Sequence, residues 1–318
     1  MTVGLPHSAF SATVRAPAKI NLHLGVGAAR PDGFHPLVTV YQAIGIYDDV
    51  TARDADTWWL DVSVADHIAL GSVPQDGQNI VDRAADLLAA HHGIARLADV
   101  MITKSIPVAG GMAGGSADAA AALVALDRLW GAETSDEDLL ALAAQLGSDV
   151  PFALLGGTAL GTGRGEVVTP VEDEGTWWWV VVPSAAGLST PEVYRNFDKL
   201  FPDAPASPPS ADQMLEALAS REPGLLAPLL HNDLQAPALD LRPDLSKLLE
   251  RGEAAGALRG MVSGSGPTCV FLCETGDHAR EVAGALSTPP ENQSDESARR
   301  VVLVANGPVA GAHVVEYI

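Results

Sequence analysis

The chain of 318 residues has only two cysteines, Cys269 and Cys273, and aromatic residues make up just 5% of it. Two thiols are too few for a disulfide framework, and the nine histidines join no His-x-x-x-His or Cys-x-x-Cys pattern that would hold a metal. Four apart in an apolar segment, the cysteines fall on one face of a strand and are expected to be buried thiols. Basic residues are scarce as well: 19 Lys and Arg against 40 Asp and Glu give a formal net charge of −21. That balance argues against nucleic acid or an anionic membrane as partner, because both need clustered cations. No apolar run approaches the ~18 residues of a membrane span. Residues 1–19 lack a charged stretch followed by a continuous apolar core, so a cytoplasmic setting is the expectation. What remains is 47% hydrophobic content over a length sufficient for two cores, the composition of a globular enzyme.

Glycine, by contrast, is concentrated at one place. The stretch Pro107-Val108-Ala109-Gly110-Gly111-Met112-Ala113-Gly114-Gly115-Ser116-Ala117-Asp118 runs straight into an alanine-rich helix. Glycines let the backbone approach a ligand closely, and the free N–H groups and dipole of the following helix favour an anion, so the segment reads as a phosphate cradle. It is not a Walker A loop, since the lysine is missing. Nor is it the dinucleotide fingerprint G-x-G-x-x-G. A plain helix cap would need one serine and one glycine, whereas four glycines each cost about 0.5 to 1 kcal/mol of chain entropy.

Periodicity orders the rest. Strands are expected at residues 11–16, 20–26 and 35–43, with short apolar runs near 58–60 and 68. A helix follows at 78–92, a strand at 100–105, and the helix after the glycine loop at 116–130, with Ser116 as its N-cap and Gly131 closing it. Ser135 opens a further helix through a capping-box variant, running to Gly147. Alternate glycines from Gly161 suggest a hairpin over 158–168. Residues 177–182 are a strongly β-prone run, and the domain boundary is placed before it. Beyond lie a Pro- and Ser-rich stretch at 202–209, two or three helices within 211–258, a strand at 268–273, a polar loop at 289–297 and a last strand pair within 300–318. The three tryptophans Trp177 to Trp179 are expected in the core, because adjacent strand residues alternate faces. Strands and helices mix throughout, which gives an α+β or mixed α/β class.

Three stretches, spread over nearly the whole chain, resemble the GHMP superfamily of small-molecule kinases, which includes galactokinase, homoserine kinase and mevalonate kinase. They are Ala16-Pro17-Ala18-Lys19-Ile20-Asn21-Leu22-His23-Leu24 with Arg30-Pro31-Asp32-Gly33-Phe34-His35, the glycine loop, and Gly264-Ser265-Gly266-Pro267-Thr268. The first is similar to the opening of the branch that phosphorylates a cytidine diphosphate-linked methylerythritol at its 2-hydroxyl, in the non-mevalonate route to isoprenoid precursors. Against that branch's loop, Met112 replaces Leu, Ala113 replaces Gly, Ala117 replaces Ser and Asp118 replaces Asn. Ala113 matters only if its position needs a positive φ.

The resemblance implies an α+β, two-domain GHMP kinase fold. Residues 1–176 would form an N-terminal domain like ribosomal protein S5 domain 2, and residues 177–318 a ferredoxin-like α/β sandwich. It implies ATP on Pro107 to Ala117, Mg²⁺ with ligands left unassigned, a small-molecule acceptor with no nucleic acid and no membrane, and a monomer or weak homodimer. Asp149, in Gly147-Ser148-Asp149-Val150-Pro151-Phe152, would be the general base and Lys19 its charge partner. Phe34 and Tyr194 would sandwich the cytosine, His35 would bond its edge, Asn21 would orient the polyol or its phosphates, and Thr190 would lie on the substrate loop. Asp118 is the one carboxylate beside the glycine loop, placed where it would also favour the helix dipole. Lys104, at a strand end, is expected to be solvated. A GHMP kinase for mevalonate or homoserine, or a non-catalytic sensor on the same fold, is the alternative; the cytosine clamp argues against the first and an intact Lys19 and Asp149 against the second.

Overall fold

The computed structural model describes residues 10–73, 79–108, 110–184, 186–287 and 301–315. Ala109 and the polar loop at 289–297 lie outside the described residues. The chain opens with strands β1 (Ser11–Val26), β2 (Leu37–Arg53) and β3 (Trp58–Val64), then helix α1 (Ile80–His92), strand β4 (Ala98–Lys104) and helices α2 (Gly114–Trp130), α3 (Asp136–Leu146) and α4 (Val150–Leu155). The hairpin β5 (Thr158–Thr162) and β6 (Val167–Val171) follows. Then come β7 (Trp177–Val182), α5 (Thr190–Leu200), α6 (Asp212–Leu218), α7 (Pro223–Leu226), β8 (His231–Asn232), α8 (Gln235–Leu241), α9 (Asp244–Ala254), β9 (Arg259–Val262), β10 (Cys269–Cys273), α10 (Gly276–Ser287), β11 (Leu303–Gly307) and β12 (His313–Val314).

Two sheets result. The larger runs β12-β1-β2-β4-β3, with β5 and β6 continuing from β2 and β8 lying parallel to β1; the smaller runs β11-β7-β10-β9. The expected last strand pair is therefore corrected: β11 and β12 join different sheets, β11 beside β7 and β12 beside β1. The two strands read at 11–16 and 20–26 are one, because the intervening Pro17 and Lys19 sit at an irregularity of the pairing rather than at a break. Residue 68 is in no strand, and four helices rather than two or three fill 211–258. Helix α4 carries too few residues to show a period, which is why it is absent from the sequence reading.

One apolar cluster runs through both sheets, joining Val14, Ile20 and Ile44 to Trp177, Trp179 and Val270. The tryptophans pack as the alternation requires. Trp177 and Trp179 are fully buried in that cluster, and Trp178 lies with the second cluster on the opposite face. Their indole N–H groups find acceptors, one buried and one partly buried: Trp179 donates to Gln42 Oε1 at 2.8 Å and Trp177 to Asp173 Oδ1 at 2.9 Å, so each aromatic ring is placed by a directional bond as well as by packing. Both cysteines are buried thiols at opposite ends of β10, and burial pushes the Cys273 thiol up to about 12. Helix α2 is nearly wholly buried, with Ala117 and Ala119 to Ala122 all inaccessible; their small side chains let the helix lie close on β1 and β2.

Gly156 shows how tightly the C-terminal return is fitted. It has φ +66° and ψ −153°, and a Cβ there would stand 2.0 Å from the backbone nitrogen of Gly311 in the segment leading to β12. Gly156→Ala is expected to lower unfolding free energy by at least about 2 kcal/mol, read as a reduced urea midpoint with an unchanged slope.

Candidate active site

The irregularities in the β1 and β2 pairing fall between Pro17 and Ala18 and between Asn21 and His23, and so bracket Lys19 and Asn21. Two residues apart, these side chains share a face and are both buried. Lys19 Nζ donates to Asn21 Oδ1 at 2.9 Å and to the Gly111 carbonyl at 3.2 Å, and stands 3.6 Å from Asp149 Oδ2. Asn21 is oriented in turn: its amide donates to Thr39 Oγ1 at 2.8 Å, and that hydroxyl donates to the His23 carbonyl at 2.7 Å. Asp149 caps the start of α4 with its backbone in the αR region, which leaves its carboxylate partly exposed toward the cavity. Its Oδ1 accepts from the Tyr41 hydroxyl at 3.1 Å. Burial, and then the Asp149 charge, hold the Tyr41 phenol well above its ordinary value, so it stays a donor.

Across from this pair lies the glycine loop. Ser116 is not the N-cap of α2. The helix starts two residues earlier, with Ala113 at the cap position and no side chain bonded to its first turn, so its first N–H groups are left as donors at the cavity wall. Ala113 does adopt a positive φ, 58°, so the Gly-to-Ala departure places a Cβ in the left-handed region at a cost of roughly 1 kcal/mol. Gly111, at φ +78°, is demanded by close approach: a Cβ would lie 2.2 Å from the Ser263 carbonyl. At Gly110 it would lie 2.6 Å from Thr268 Oγ1, whereas at Gly115 nothing stands nearer than 4.0 Å. The loop is thus pressed on one side against the turn at 263–268 and open on the other. Ser263 Oγ donates to the Gly111 carbonyl at 3.1 Å and Thr268 N to the Gly110 carbonyl at 3.3 Å.

Lys104 is not solvated. It is buried beneath Gly114, with Nζ 2.6 Å from both Asp48 Oδ2 and Asp118 Oδ2. Asp48 Oδ1 accepts from the backbone N–H groups of Ser105 and Ile106 at 2.6 and 2.8 Å. The carboxylates thus grip both ends of the glycine loop, one on the strand that enters it and one on the helix that leaves it. Asp118 is accordingly an interior group rather than a surface charge on the helix dipole. Burial holds its carboxyl well above the usual range against the pull of Lys104. For Lys104, burial alone would lower the ammonium, but the two carboxylates more than offset this and raise it.

The residues expected on the acceptor side line the same cavity, whose volume is about 1100 Å³. His35 is buried and donates from Nε2 to Asp198 Oδ1 at 2.8 Å, with its ring 4.9 Å from that of Tyr194. Phe34 is half exposed, with the Arg164 guanidinium 4.7 Å above its ring. Burial raises the Tyr194 phenol as well, and keeps it neutral. Thr190 is the first residue of α5 rather than a loop residue, because Pro191 behind it is preorganised for a helix start; its hydroxyl meets Ser265 Oγ at 2.8 Å. Thr39, Tyr41, Asp48 and Asp198 had no motif to mark them. The one signal for Tyr41 is its register opposite Asn21, legible only once the strands are paired.

Among the described residues no three His, Cys, Asp or Glu side chains form a cage for a metal, and the cavity carboxylates Asp118 and Asp149 each face a lysine.

Residues 79–157 match the GHMP kinases N-terminal domain family and residues 214–292 the GHMP kinases C-terminal family. The chain is 70% identical over 304 residues to the 4-diphosphocytidyl-2-C-methyl-D-erythritol kinase of Nocardioides sp., covering 96% of this chain and all of the relative. The chain belongs to the 4-diphosphocytidyl-2-C-methyl-D-erythritol kinase family. Another member, from Mycolicibacterium smegmatis, is 51% identical over 310 residues, with 96% of this chain and 92% of the relative covered. A crystal structure of a 4-(cytidine 5'-diphospho)-2C-methyl-D-erythritol kinase superposes with a TM-score of 0.74 at 32% identity, over 93% of this chain and 98% of that one. The mevalonate kinase of L. major, at 17% identity, 97% and 99% coverage and a TM-score of 0.72, shares the fold. The chain is therefore a GHMP kinase of α+β architecture, and no helix among its described residues is long and apolar enough to cross a membrane.

Within this kinase scaffold Lys104 compensates two buried carboxylates at once. Lys104→Met is expected to cost about 3–5 kcal/mol of stability in urea unfolding, with part of the loss recovered in Lys104→Met/Asp118→Asn, which removes one of the stranded charges.

Proposed function

We propose that the chain transfers the γ-phosphoryl group of ATP to the 2-hydroxyl of 4-diphosphocytidyl-2-C-methyl-D-erythritol, a step toward isoprenoid precursors, and does so in the cytoplasm. The observation that carries the reading is the Asp149 carboxylate, held between Lys19 and Tyr41 and opening onto a cavity that reaches from the glycine loop to Phe34 and Tyr194. Phosphoryl transfer passes through a loose transition state, so the protein contributes mainly position and charge.

In this reading the triphosphate lies along Gly110 to Ser116, its oxygens accepting from the first-turn N–H groups of α2. The cytosine stacks at Phe34 and Tyr194, which in comparable base-binding sites is worth about 1–3 kcal/mol per base. Tyr41 donates to Asp149 Oδ1 and Lys19 flanks Oδ2, so the carboxylate is fixed in direction. Asp149 takes the proton of the 2-hydroxyl as that oxygen bonds to the γ-phosphorus and the bond to the β-phosphate oxygen breaks, releasing ADP. Lys19, also bonded to the Gly111 carbonyl, stands between the base and the phosphate loop, where it offsets charge on the transferring group. Mg²⁺ carried with ATP would neutralise phosphate charge.

The test is ADP release by the purified protein with Mg-ATP and the cytidylyl acceptor, against mevalonate and homoserine. Turnover is expected with the first alone. Asp149→Asn should lower kcat by about 10²- to 10⁴-fold, while nucleotide affinity stays within about twofold. Undiminished kcat in that variant removes Asp149 as the base, and turnover of mevalonate or homoserine instead removes the cytosine clamp.

A further inference from the structure

The charged groups lining the cavity do not balance. Lys19 is taken up by Asp149, and Lys104 by Asp48 and Asp118. The remaining cavity carboxylate, Asp198, accepts from His35. Two guanidiniums meet no carboxylate of the cavity wall, Arg164 and Arg195.

They approach from opposite elements. Arg164 lies in the turn between β5 and β6, above the Phe34 ring and 3.5 Å from Glu166 Oε1 in a partly exposed pair of modest energetic weight. Arg195 belongs to the face of α5 on which Thr190, Pro191, Tyr194 and Asp198 also line the cavity; it is exposed and has no ion-pair partner among the described residues. One arginine therefore touches the first ring of the base clamp and the other directly follows the second ring in sequence. In a chain with 40 acidic and 19 basic residues, two arginines beside these rings give that end of the cavity cationic donors against the overall charge. The end is not that of the glycine loop, where backbone N–H groups already supply the donors.

We propose that Arg164 and Arg195 bind the diphosphate of the acceptor and so select a nucleoside diphosphate ester over an uncharged alcohol. This rests on the function proposed above. The planar guanidinium fork matches phosphate oxygens two at a time, and two such groups balance a diester diphosphate carrying two negative charges.

Binding of CDP and of cytidine, measured by calorimetry on the full chain, separates the diphosphate from the base. Arg195→Gln and Arg164→Gln should each weaken CDP binding about tenfold, leave cytidine binding within about twofold, and raise the acceptor KM with little change in the KM of ATP. Arg164→Lys should restore part of the loss at Arg164. If CDP and cytidine weaken together, or if ATP rather than acceptor KM rises, the assignment is overturned. Wild-type protein that binds CDP tightly, with both variants unchanged, overturns the arginines alone; wild-type protein that binds no CDP overturns the cytidylyl acceptor as well.

Discussion

A single ammonium group joins the three segments from which the site is made. Lys19 projects from β1, bonds the carbonyl of Gly111 in the glycine loop and faces the carboxylate of Asp149 at the start of α4. Each bond requires the next. Asn21 and Thr39 fix the lysine, the lysine fixes the Gly111 carbonyl, and Ser263 from the second sheet's side bonds the same oxygen. A buried lysine is costly unless its donors are matched, so the low-dielectric setting that strengthens these bonds also forbids alternative arrangements of the loop. Irregularities flank this stretch on both sides, with the extra residues on β2 opposite Pro17 and Ala18 and on β1 between Asn21 and His23, and they leave Lys19 and Asn21 on a short regular segment aimed at the loop.

Under the proposed function, the two ends of the cavity solve different problems. At the glycine loop the donors are backbone amides, which carry no net charge and suit a polyanion that brings its own cation. At the other end side chains do the work, with rings at Phe34 and Tyr194 and a buried His35 held by Asp198. The strongly acidic surface is compatible with both, since charges beyond about 10 Å are screened and the cavity's own balance is set by the few groups that line it.

Much of this was legible before any coordinates. The glycine loop announces itself because its four glycines are expensive, and the helix after it because alanine has a strong preference there. The edges of elements were less legible: Ser116 looks like a cap, yet Ala113 takes the cap position in a conformation that alanine disfavours. Tertiary contact with the turn at 263–268 overrides the local preference. Tyr41, Asp48 and Asp198 were invisible for a related reason. Each acts through a partner more than 50 residues away, at 108, 56 and 163 residues respectively, and no local pattern encodes such distances. Arg164 was likewise unmarked, since a lone arginine in a glycine-rich turn reads as solvated.

The return of β12 to β1 has a consequence for how the molecule comes into being. The strand that bears Lys19 receives β8 near its end and β12 near its beginning, both contributed from beyond residue 230. During synthesis the first sheet therefore stays incomplete while most of the chain emerges, with the edge of β1 open to pairing. Residues 231–232 and 313–314 close that edge, so vectorial synthesis postpones the finished sheet until they have emerged and makes the nascent first half a natural client for chaperones.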